Sequence, residues 1–561
     1  MTTLTVERTN YRLDVAADGR VATLTTTGGE LSLRLLAAFD ALDGPDETIE
    51  VLPPRELGGG RFEIERRSTR WSRAAVTIAC RDDTVDVIAS VAGTGRLGDV
   101  HLLGGRSAGA GFLRTGSSFE TLFSPNPEDP GRIERSARER VAIGVVGDGE
   151  PGRGHWFFTP APLCVALASG RGEWLTMSLA APVEQLAFPQ LVYEGADRAF
   201  ALRLEYEGHT EVDGDFAAPA VVLRPRVADP YDGLRLHRAD LVARGAAPPP
   251  AARPVAEWWT EPIFCGWGAQ CDLAATTGRP APSLATQPNY DAFLAQLERH
   301  GVVPGTIVID DKWQDAYGTN EPDRAKWPEL ESWVAGRHAA GQHVLLWWKA
   351  WDPEGLAPEL CIRNAAGAAI AVDPTNPAAR AHVAETIERM LAPDGLGADG
   401  LKIDFTARTP SGSALTAHGR GWGIALLHEL LAVVYAAAKR SKPDALVITH
   451  APHPAFADVA DMIRLNDMLR LGDPPPRPRI VPQMRYRADV VRAATPELLI
   501  DTDDWCAPDL EQWREYLAVK TLFGVPALYY AQSLDATGET FEQRDYDALR
   551  ATWERWRANP R

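Results

Sequence analysis

The sequence predicts two architectures in one chain, an N-terminal β-sandwich followed by a (β/α)8 or TIM barrel. Short apolar runs alternate up to about residue 225, a proline-rich segment GAAPPPAARP occupies 245–254, and helical and strand-like patterns then take turns. At 561 residues, 45% hydrophobic and 24% charged, the chain is too long for one compact core. We predict a β-sandwich over 1–225, a connecting segment over 226–256 and a barrel over 257–561, with little or no C-terminal β-domain.

The strands of the first half are predicted from a period of two. Gly, Asp and Pro separate these runs at short intervals, a pattern typical of antiparallel strands with one buried face. No catalytic group of residues stands out in this half. The runs are YRLDV, VATLTTT, RFEIERR, AVTIAC, TVDVIASV, VAIGVV, LVYEG and FALRLEY.

The second half alternates between helical spacing and short β-branched runs. Tyr290, Phe293, Leu294 and Leu297 recur at helical spacing before Gly301, and GTIVIDD follows as a buried strand. Eight strand-then-helix units predict a TIM barrel, in which chemistry gathers at the C-terminal ends of the strands. The sixth strand is the weakest, because it follows the fifth too closely for an intervening helix. The strands are expected at 263–267, 305–311, 343–348, 400–404, 445–450, 461–465, 497–501 and 526–530, with helices around 328–340, 377–391, 422–439 and 509–523.

Composition narrows the classes of partner. The chain has 58 basic and 76 acidic residues, and its net charge of −18 argues against binding to nucleic acid or to an anionic membrane surface. The N-terminal residues MTTLTVERTNYRLDV lack the pattern of a signal peptide, and no run of apolar residues is long enough to span a membrane, so we expect a cytoplasmic protein. Six separated cysteines without C-x-x-C predict reduced, buried thiols. We expect neither a cofactor nor a metal, and the sequence leaves open whether the chain forms a homo-oligomer.

Polar residues collect at the predicted C-terminal ends of the strands. Burying several carboxylates together is costly unless cations, hydrogen bonds or a polar ligand compensate, so a functional pocket is the better interpretation. The residues are Asp310 and Asp311 after the second strand, Trp348 and Lys349 after the third, Lys402 and Asp404 in the fourth, His450 after the fifth, and Asp501, Asp503 and Asp504 at the seventh.

Tryptophan is concentrated in the same half of the chain. Fourteen of the seventeen tryptophans follow residue 250. Sugar hydroxyls donate well to ionised carboxylates, and the apolar face of a pyranose packs on an aromatic ring. We therefore expect a small-molecule carbohydrate as the partner, with Trp267, Trp313, Trp348 and Trp505 as an aromatic wall.

Three segments resemble a known clan of enzymes. IDDKW at 309–313, WPELESWVAGRHAAGQHVLLWW at 327–348 and LKIDF at 401–405 are similar to segments of the retaining α-glycoside hydrolases of families 36 and 31, family 36 being closer. The resemblance implies a β-sandwich in front of a TIM barrel. It also implies that the aspartate of K-x-D, Asp404, is the nucleophile, that Lys402, Asp310 and Asp311 bind sugar hydroxyls, and that Trp313 belongs to the D-D-x-W motif.

The reaction that the resemblance implies needs two carboxyl groups, a nucleophile and a proton donor. Asp404 is the only acidic residue at its strand end, and Lys402, two residues earlier, shares its side of the strand and helps to keep it ionised. The segment IDTDDW offers Asp501, Asp503 and Asp504 as proton donor. Asp503 is preferred, because alignment with the S-D segment of family 36 places Thr502 on the serine and because Asp503 lies further out than Asp501.

Several substrates remain open at this stage. An exo-acting α-galactosidase is the first expectation, because Asp310 and Asp311 resemble the pair that binds the 4- and 6-hydroxyls. Lys349, His450 and Arg464 add groups that would suit a sulfonated or anionic glucoside such as a sulfoquinovoside, and an α-glucoside is also open. Arg464 could instead only pair with Asp461 or Asp467.

Two alternatives come from other classes of protein. A metal-dependent TIM-barrel hydrolase would draw its ligands from His450, His453, Asp458 and Asp461. A non-catalytic sugar-binding protein would keep the tryptophans but needs no acid opposite Asp404.

Overall fold

The structure is a computed structural model that describes residues 4–109, 111–126, 132–147, 157–250, 255–468 and 478–560. The predicted connecting segment contains a helix, α1 (Pro230–Ala243), which begins where the Asp229 side chain accepts a hydrogen bond from the amide of Asp232. Of the predicted proline-rich joint, residues 251–254 lie outside the described residues. No helix in the described ranges is long and apolar enough to cross a membrane.

The first half is antiparallel β-structure, as its alternating pattern predicts. Within the described residues, twenty strands form one hydrogen-bonded network, and the long strand Val85–Leu102 links two groups of strands. Its first part pairs with Arg73–Cys80 and Glu211–Ala217, and its last part with Ala199–Glu205. The strands are Leu4–Glu7, Arg12–Val15, Val21–Thr25, Glu30–Arg34, Ala38–Ala41, Thr48–Val51, Arg55–Gly58, Arg61–Ser68, Arg73–Cys80, Val85–Leu102, Thr115–Ser117, Thr121–Phe123, Glu134–Ser136, Arg140–Gly144, Cys164–Ala168, Trp174–Ala180, Gln190–Ala196, Ala199–Glu205, Glu211–Ala217 and Ala220–Val227, beside a small ribbon of Arg106–Ser107 and Gly111–Phe112.

The second half is a nearly closed barrel of eight parallel strands. The described strands are β1 (Ile263–Cys265), β2 (Thr306–Ile309), β3 (His343–Lys349), β4 (Gly400–Asp404), β5 (Leu446–Thr449), β6 (Met462–Arg464), β7 (Leu499–Asp501) and β8 (Ala527–Leu528). From β1 to β7 each strand pairs in parallel with the next, and β1 also pairs with β8. Between β7 and β8 the Thr502 amide donates to the Val525 carbonyl at 3.1 Å. The eight predicted strands, including the weak sixth, are thus confirmed.

Helices cover most of the strand connections. The turn between β5 and β6 contains only the short 3-10 segment Pro454–Phe456, in agreement with the short spacing. The loop after β3 carries a small ribbon of Cys361–Arg363 and Ala369–Val372. The described helices of this half are α2 (Trp267–Thr277), α3 (Gln287–Arg299), α4 (Leu330–Ala339), α5 (Pro377–Leu391), α6 (Gly423–Ser441), α7 (Ile480–Ala494), α8 (Leu510–Val519) and α9 (Gln543–Ala558).

Strand β4 shows how the barrel aims its polar residues. Leu401 and Ile403 are buried, while Lys402 reaches across the barrel to the ends of β1 and β2. Because side chains alternate along a strand, Asp404 shares the side of Lys402. The strand begins at Gly400, where a Cβ atom would lie 2.1 Å from the Leu446 carbonyl oxygen of β5. Glycine therefore permits the close approach of β4 and β5.

The N-terminal half contacts the C-terminal end of the barrel. The Thr159 amide donates to the His450 carbonyl at 3.0 Å, and the Asn466 side chain donates to the Phe157 carbonyl at 2.7 Å. Both barrel residues lie in loops that follow strands β5 and β6, so the β-structure supports the rim at which the polar residues gather.

Candidate active site

A buried ion pair forms the floor of the site. The Lys402 ammonium donates to Asp310 Oδ2 at 2.6 Å and approaches Cys265 Sγ at 3.4 Å, while the Cys265 thiol donates to the same oxygen at 3.0 Å. Asp310 Oδ1 accepts from the Asp311 amide at 2.9 Å. Burial disfavours the charge on Lys402, but Asp310 raises its pKa well above the ordinary value. Asp310 and Lys402, predicted as ligands of sugar hydroxyls, are almost fully buried and support each other instead.

Asp404 lies above this floor and is held as a carboxylate. Its Oδ1 accepts from the Phe405 amide at 2.8 Å and from Arg464 Nη2 at 3.2 Å, and its Oδ2 accepts from Trp347 Nε1 at 3.3 Å. The side chain keeps 24% of its surface exposed. Burial alone would raise its pKa, but Arg464 and then Lys402 hold the pKa well below the usual range. The site thus contains an accessible, ionised carboxylate at the end of β4.

Arg464, at the end of β6, joins three carboxylates. Its Nη1 donates to Asp467 Oδ1 and to Asp503 Oδ2, both at 2.9 Å, while its Nη2 serves Asp404. Asp461, the other partner that the sequence left open, accepts from Lys439 at 2.8 Å. The guanidinium is buried, so these contacts act in a poorly solvated environment.

Asp467 is the second accessible carboxyl group at Arg464. Its side chain is 26% exposed. Burial raises its pKa to about 7, since the repulsion from Asp503 and Asp404 adds to burial and Arg464 opposes only part of the effect. Asp404 and Asp467 therefore share one guanidinium while their pKa values are pushed apart, which is the arrangement that distinguishes a nucleophile from an acid. The sequence analysis marks Asp467 only as a possible partner of Arg464, three positions earlier in the chain.

Asp503 lies deeper than the sequence analysis expected. Its side chain has no exposed surface, its Oδ1 accepts from the Trp505 amide at 2.8 Å, and its Oδ2 accepts from Arg464. Asp503 adopts a positive φ of 36°, and its amide donates to Asp501 Oδ1 at 2.9 Å. This turn brings the carboxylate to Arg464, and a carboxylate without exposed surface does not suit a proton donor to a bound glycoside.

The two neighbours of Asp503 are equally enclosed. Asp501 is buried, and burial followed by the repulsion of Asp503 raises its pKa to about 7. Asp504 accepts from Lys520 Nζ at 2.9 Å and from Trp513 Nε1 at 3.1 Å, and burial raises its pKa. We interpret Asp504 as a structural residue of the β7 connection.

Asp311 and an aromatic neighbour line the side of the site near β2. The Tyr317 hydroxyl donates to Asp311 Oδ1 at 2.8 Å, and Asp311 Oδ2 makes no hydrogen bond within the described residues. Burial raises the pKa of Asp311 to about 6, against the effect of the Tyr317 hydrogen bond. Lys349 and Lys312 each place their ammonium 3.9 Å from the centre of the Tyr317 ring, and Lys349 also pairs with Asp352 at 2.8 Å. Sequence reasoning missed Tyr317, which no strand pattern marks.

Two of the predicted sugar-binding tryptophans are packing residues. Trp313 is fully buried and donates through Nε1 to the Trp347 carbonyl at 2.8 Å. Trp348 is buried and lines a small cavity together with Val383 and Thr386 of α5. Because side chains alternate along β3, Trp347 takes the inward position and contacts Asp404. Trp313 and Trp348 are thus buried, and Trp347 is the tryptophan of β3 that contacts Asp404.

The other two tryptophans, Trp267 and Trp505, contact each other. Trp267, partly exposed at the start of α2, contacts Trp505 edge to face, with ring centres 5.7 Å apart. Trp505 donates through Nε1 to Asp535 Oδ2 at 3.1 Å. The residue Asp535 comes from the connection after β8, and no sequence pattern had marked it.

His450 is buried and supports the loop after Asp404. Its Nε2 forms a 2.6 Å hydrogen bond with Thr406 Oγ1. Burial lowers the pKa of His450 to about 3, so the ring is neutral, and it has too little exposed surface to bind a substrate in this arrangement.

The residues proposed for a metal centre have separate partners. His453 Nδ1 accepts from the Ala455 amide at 3.2 Å, and Asp458 and His428 lie 3.0 Å apart. In the described part of the chain no three His, Cys, Asp or Glu side chains are arranged to hold a metal ion.

This fold is shared with solved structures of α-glycoside hydrolases. No protein-family model and no curated sequence matches the chain. It is similar to the α-N-acetylgalactosaminidase NagBb from Bifidobacterium bifidum in its GalNAc complex, with a TM-score of 0.67 and 13% identity over 99% of this chain and 93% of that one. It is also similar to a GH31 family sulfoquinovosidase from E. rectale (TM-score 0.58, 11% identity, 98% and 82% covered).

A third solved structure belongs to the same class. The α-galactosidase TtGalA from Thermus thermophilus in complex with stachyose superposes with a TM-score of 0.53 at 16% identity, covering 86% of this chain and 98% of that one. The chain therefore has the fold of the α-glycoside hydrolases of the family 36 and 31 type. At these identities the likeness concerns the fold, and the chemistry must come from the site itself.

Proposed function

We propose that the protein is an exo-acting, retaining α-glycoside hydrolase that uses Asp404 as nucleophile and Asp467 as acid and base. The observation that carries this proposal is the sharing of Arg464 by two accessible carboxyl groups, one with a lowered and one with a raised pKa. Carboxyl groups about 5–5.5 Å apart accompany retention, and a common guanidinium keeps two carboxyl groups close together.

The mechanism follows from the protonation states of the pair. Ionised Asp404 attacks the anomeric carbon from the face opposite the leaving group, while protonated Asp467 gives its proton to the leaving oxygen. The bond to the leaving group breaks and a covalent β-glycosyl ester forms on Asp404. Asp467, now a carboxylate, then removes a proton from water, which attacks the same carbon and releases Asp404. Two inversions yield the α-anomer.

We propose a terminal α-galactoside as the first substrate. The free Oδ2 of Asp311 is available to a sugar hydroxyl, and similar folds include enzymes named for galactose and N-acetylgalactosamine. A specific observation favours a second candidate, an anionic sugar such as a sulfonated glucoside. Lys349 and Lys312 both lie against Tyr317 beside Asp311, and a sulfoquinovosidase shares the fold. We also retain the division into residues 1–225, 226–256 and 257–561 as a proposal.

The anomer that forms first tests this function. A panel of 4-nitrophenyl α-glycosides (galactoside, glucoside, xyloside, sulfoquinovoside and N-acetylgalactosaminide) would be incubated with the protein and followed by proton NMR. We expect the galactoside to be cleaved fastest and the α-anomer to appear before mutarotation. Folded Asp404→Ala should lose nearly all turnover. A β-anomer as first product would refute retention, and turnover of no panel member would refute the proposed activity.

A further inference from the structure

Asp503 is a fully buried neighbour of Arg464, the residue that Asp404 and Asp467 share. It accepts from the same Arg464 Nη1 that serves Asp467, and both of its oxygens have partners, Arg464 and the Trp505 amide. The amide of Asp503 is itself fixed by Asp501. Its left-handed backbone, which a non-glycine residue adopts only at a cost, is what brings the carboxylate to Arg464.

The carboxyl groups around Arg464 outnumber its single positive charge. One guanidinium faces Asp404, Asp467 and Asp503, and Asp501 lies behind Asp503. Several like charges in a poorly solvated space favour the binding of a proton by one member of the group. Asp467 is the accessible member of the group whose pKa is raised, by burial and by the repulsion of Asp503 and Asp404, although Arg464 opposes part of the rise.

We propose that Asp503 is a positioning residue that fixes the Arg464 guanidinium between Asp404 and Asp467 and keeps Asp467 protonated until it transfers its proton to the leaving group. The inference rests on the proposed function. Asp503 touches neither substrate nor reacting atoms, and it acts through Arg464 and through its charge. Without that charge Arg464 would be free to pair more strongly with Asp467, and Asp467 would lose its proton at lower pH.

Other charged and titratable groups interact electrostatically with Asp467 or with the residues around Arg464. A substitution of Asp503 leaves all of these groups in place. They are Lys402 and Asp404 of β4, His450 after β5, Arg464 of β6, Arg487 of α7, Asp501 of β7, Tyr529 after β8 and Cys271 of α2.

The test compares Asp503→Asn with Asp504→Asn. Both positions are fully buried in the same turn, but Asp504 pairs with Lys520 and not with Arg464. The pH profile of kcat/KM would be measured with an alkyl α-glycoside, whose leaving group needs protonation. For Asp503→Asn we expect the basic limb to move to lower pH by about one unit or more, with activity near pH 5 retained within about tenfold. Asp504→Asn should lower the melting temperature and leave the basic limb in place.

The outcomes separate this inference from the proposed function. An even loss of activity at every pH in Asp503→Asn, without movement of the basic limb, would overturn it. If the wild type cleaves no α-glycoside, the proposed activity is wrong. The role of Asp503 is then tested by NMR of protein labelled with 13C at the aspartate carboxyl groups. The resonance absent from Asp467→Asn should titrate at lower pH in Asp503→Asn, and an unchanged titration would overturn the inference. If Asp503→Asn does not fold, Asp503→Ser is the replacement, since its hydroxyl can still accept from the Trp505 amide.

Discussion

At the scale of single residues, two aspartates of the same chemistry receive opposite properties from their surroundings. Asp404 has Lys402 below it and Arg464 beside it, and its pKa falls. Burial raises the pKa of Asp467 to about 7, and the repulsion from Asp503 and Asp404 adds to the rise that the same Arg464 opposes. Because burial penalises both carboxylates, the balance of neighbouring charges decides which one keeps its proton.

Asp467→Asn should separate acid catalysis from the attack of the nucleophile. Wild-type kcat/KM should fall as pH rises through about 7, because Asp467 must carry its proton. The variant lacks this proton, so alkyl glycosides should be cleaved roughly 10²- to 10⁴-fold more slowly, while 2,4-dinitrophenyl glycosides, which leave without protonation, should lose much less. Steady-state kinetics on both substrates measures the difference.

A matched control for this variant is Asp458→Asn. Asp458 lies in the connection between β5 and β6 and pairs with His428 rather than with Arg464. Its kinetics should match those of the wild type for both leaving groups. An equal loss for both leaving groups in Asp467→Asn would argue against Asp467 as the acid.

At the scale of elements, the barrel depends on the close approach of neighbouring strands. Gly400→Ala would place a methyl group 2.1 Å from the Leu446 carbonyl oxygen, so β4 and β5 would have to separate. We expect a loss of about 1–3 kcal/mol or more in the free energy of unfolding, because overpacked interiors force the backbone to shift. Urea denaturation followed by tryptophan fluorescence measures it.

The control for this substitution is the same change on a helix surface. Gly336 lies exposed in α4, and an added Cβ meets no atom within 4 Å. Gly336→Ala should stabilise the protein by roughly 0.5–1 kcal/mol, since alanine loses less backbone freedom on folding. If Gly400→Ala were as stable as Gly336→Ala, the packing argument for β4 would be wrong.

At the scale of the whole molecule, the N-terminal β-structure takes part in shaping the rim of the barrel. Phe157 is fully buried, its carbonyl accepts from Asn466, and the Arg487 guanidinium lies 4.1 Å from the centre of its ring. Arg487 in turn donates to the Asp467 carbonyl at 2.8 Å, and Asn466 Oδ1 accepts from the Asp467 amide at 2.9 Å. The backbone of Asp467 is thus held through contacts that begin in the other half of the chain.

Phe157→Ala should therefore reduce both stability and turnover. Loss of a buried ring costs about 3–5 kcal/mol, and the loosened Asp467 backbone should lower kcat. Calorimetry and kcat measured well below the melting temperature test the two effects. Phe62→Ala is the control, because Phe62 is buried in the strand Arg61–Ser68, whose pairing partners are other N-terminal strands. It should lower stability and leave kcat unchanged, and an equal effect of both variants on kcat would contradict the proposed support.

The sequence by itself determined the order of the elements and the position of the proposed nucleophile at the end of a strand. Hydrophobic periodicity depends on neighbours in the chain, so the strand at 400–404 and the helix at 377–391 were predicted with the bounds that the structure shows. Alternation along a strand likewise placed Lys402 and Asp404 on one side, and the lysine does stand beneath the carboxylate as a stabilising charge.

Only the tertiary structure decided which aspartate can face Asp404 and which tryptophans face the site. The choice between Asp467 and Asp503 depends on burial, because both accept from Arg464 Nη1 at 2.9 Å but only the Asp467 side chain is exposed. Asp503 reaches Arg464 from 39 positions away in the chain. Trp313 and Trp348 are buried by contacts with β3 and α5, which no local pattern reveals. Electrostatic and packing energies depend on distance in space, and for these residues that distance is unrelated to their separation in the chain.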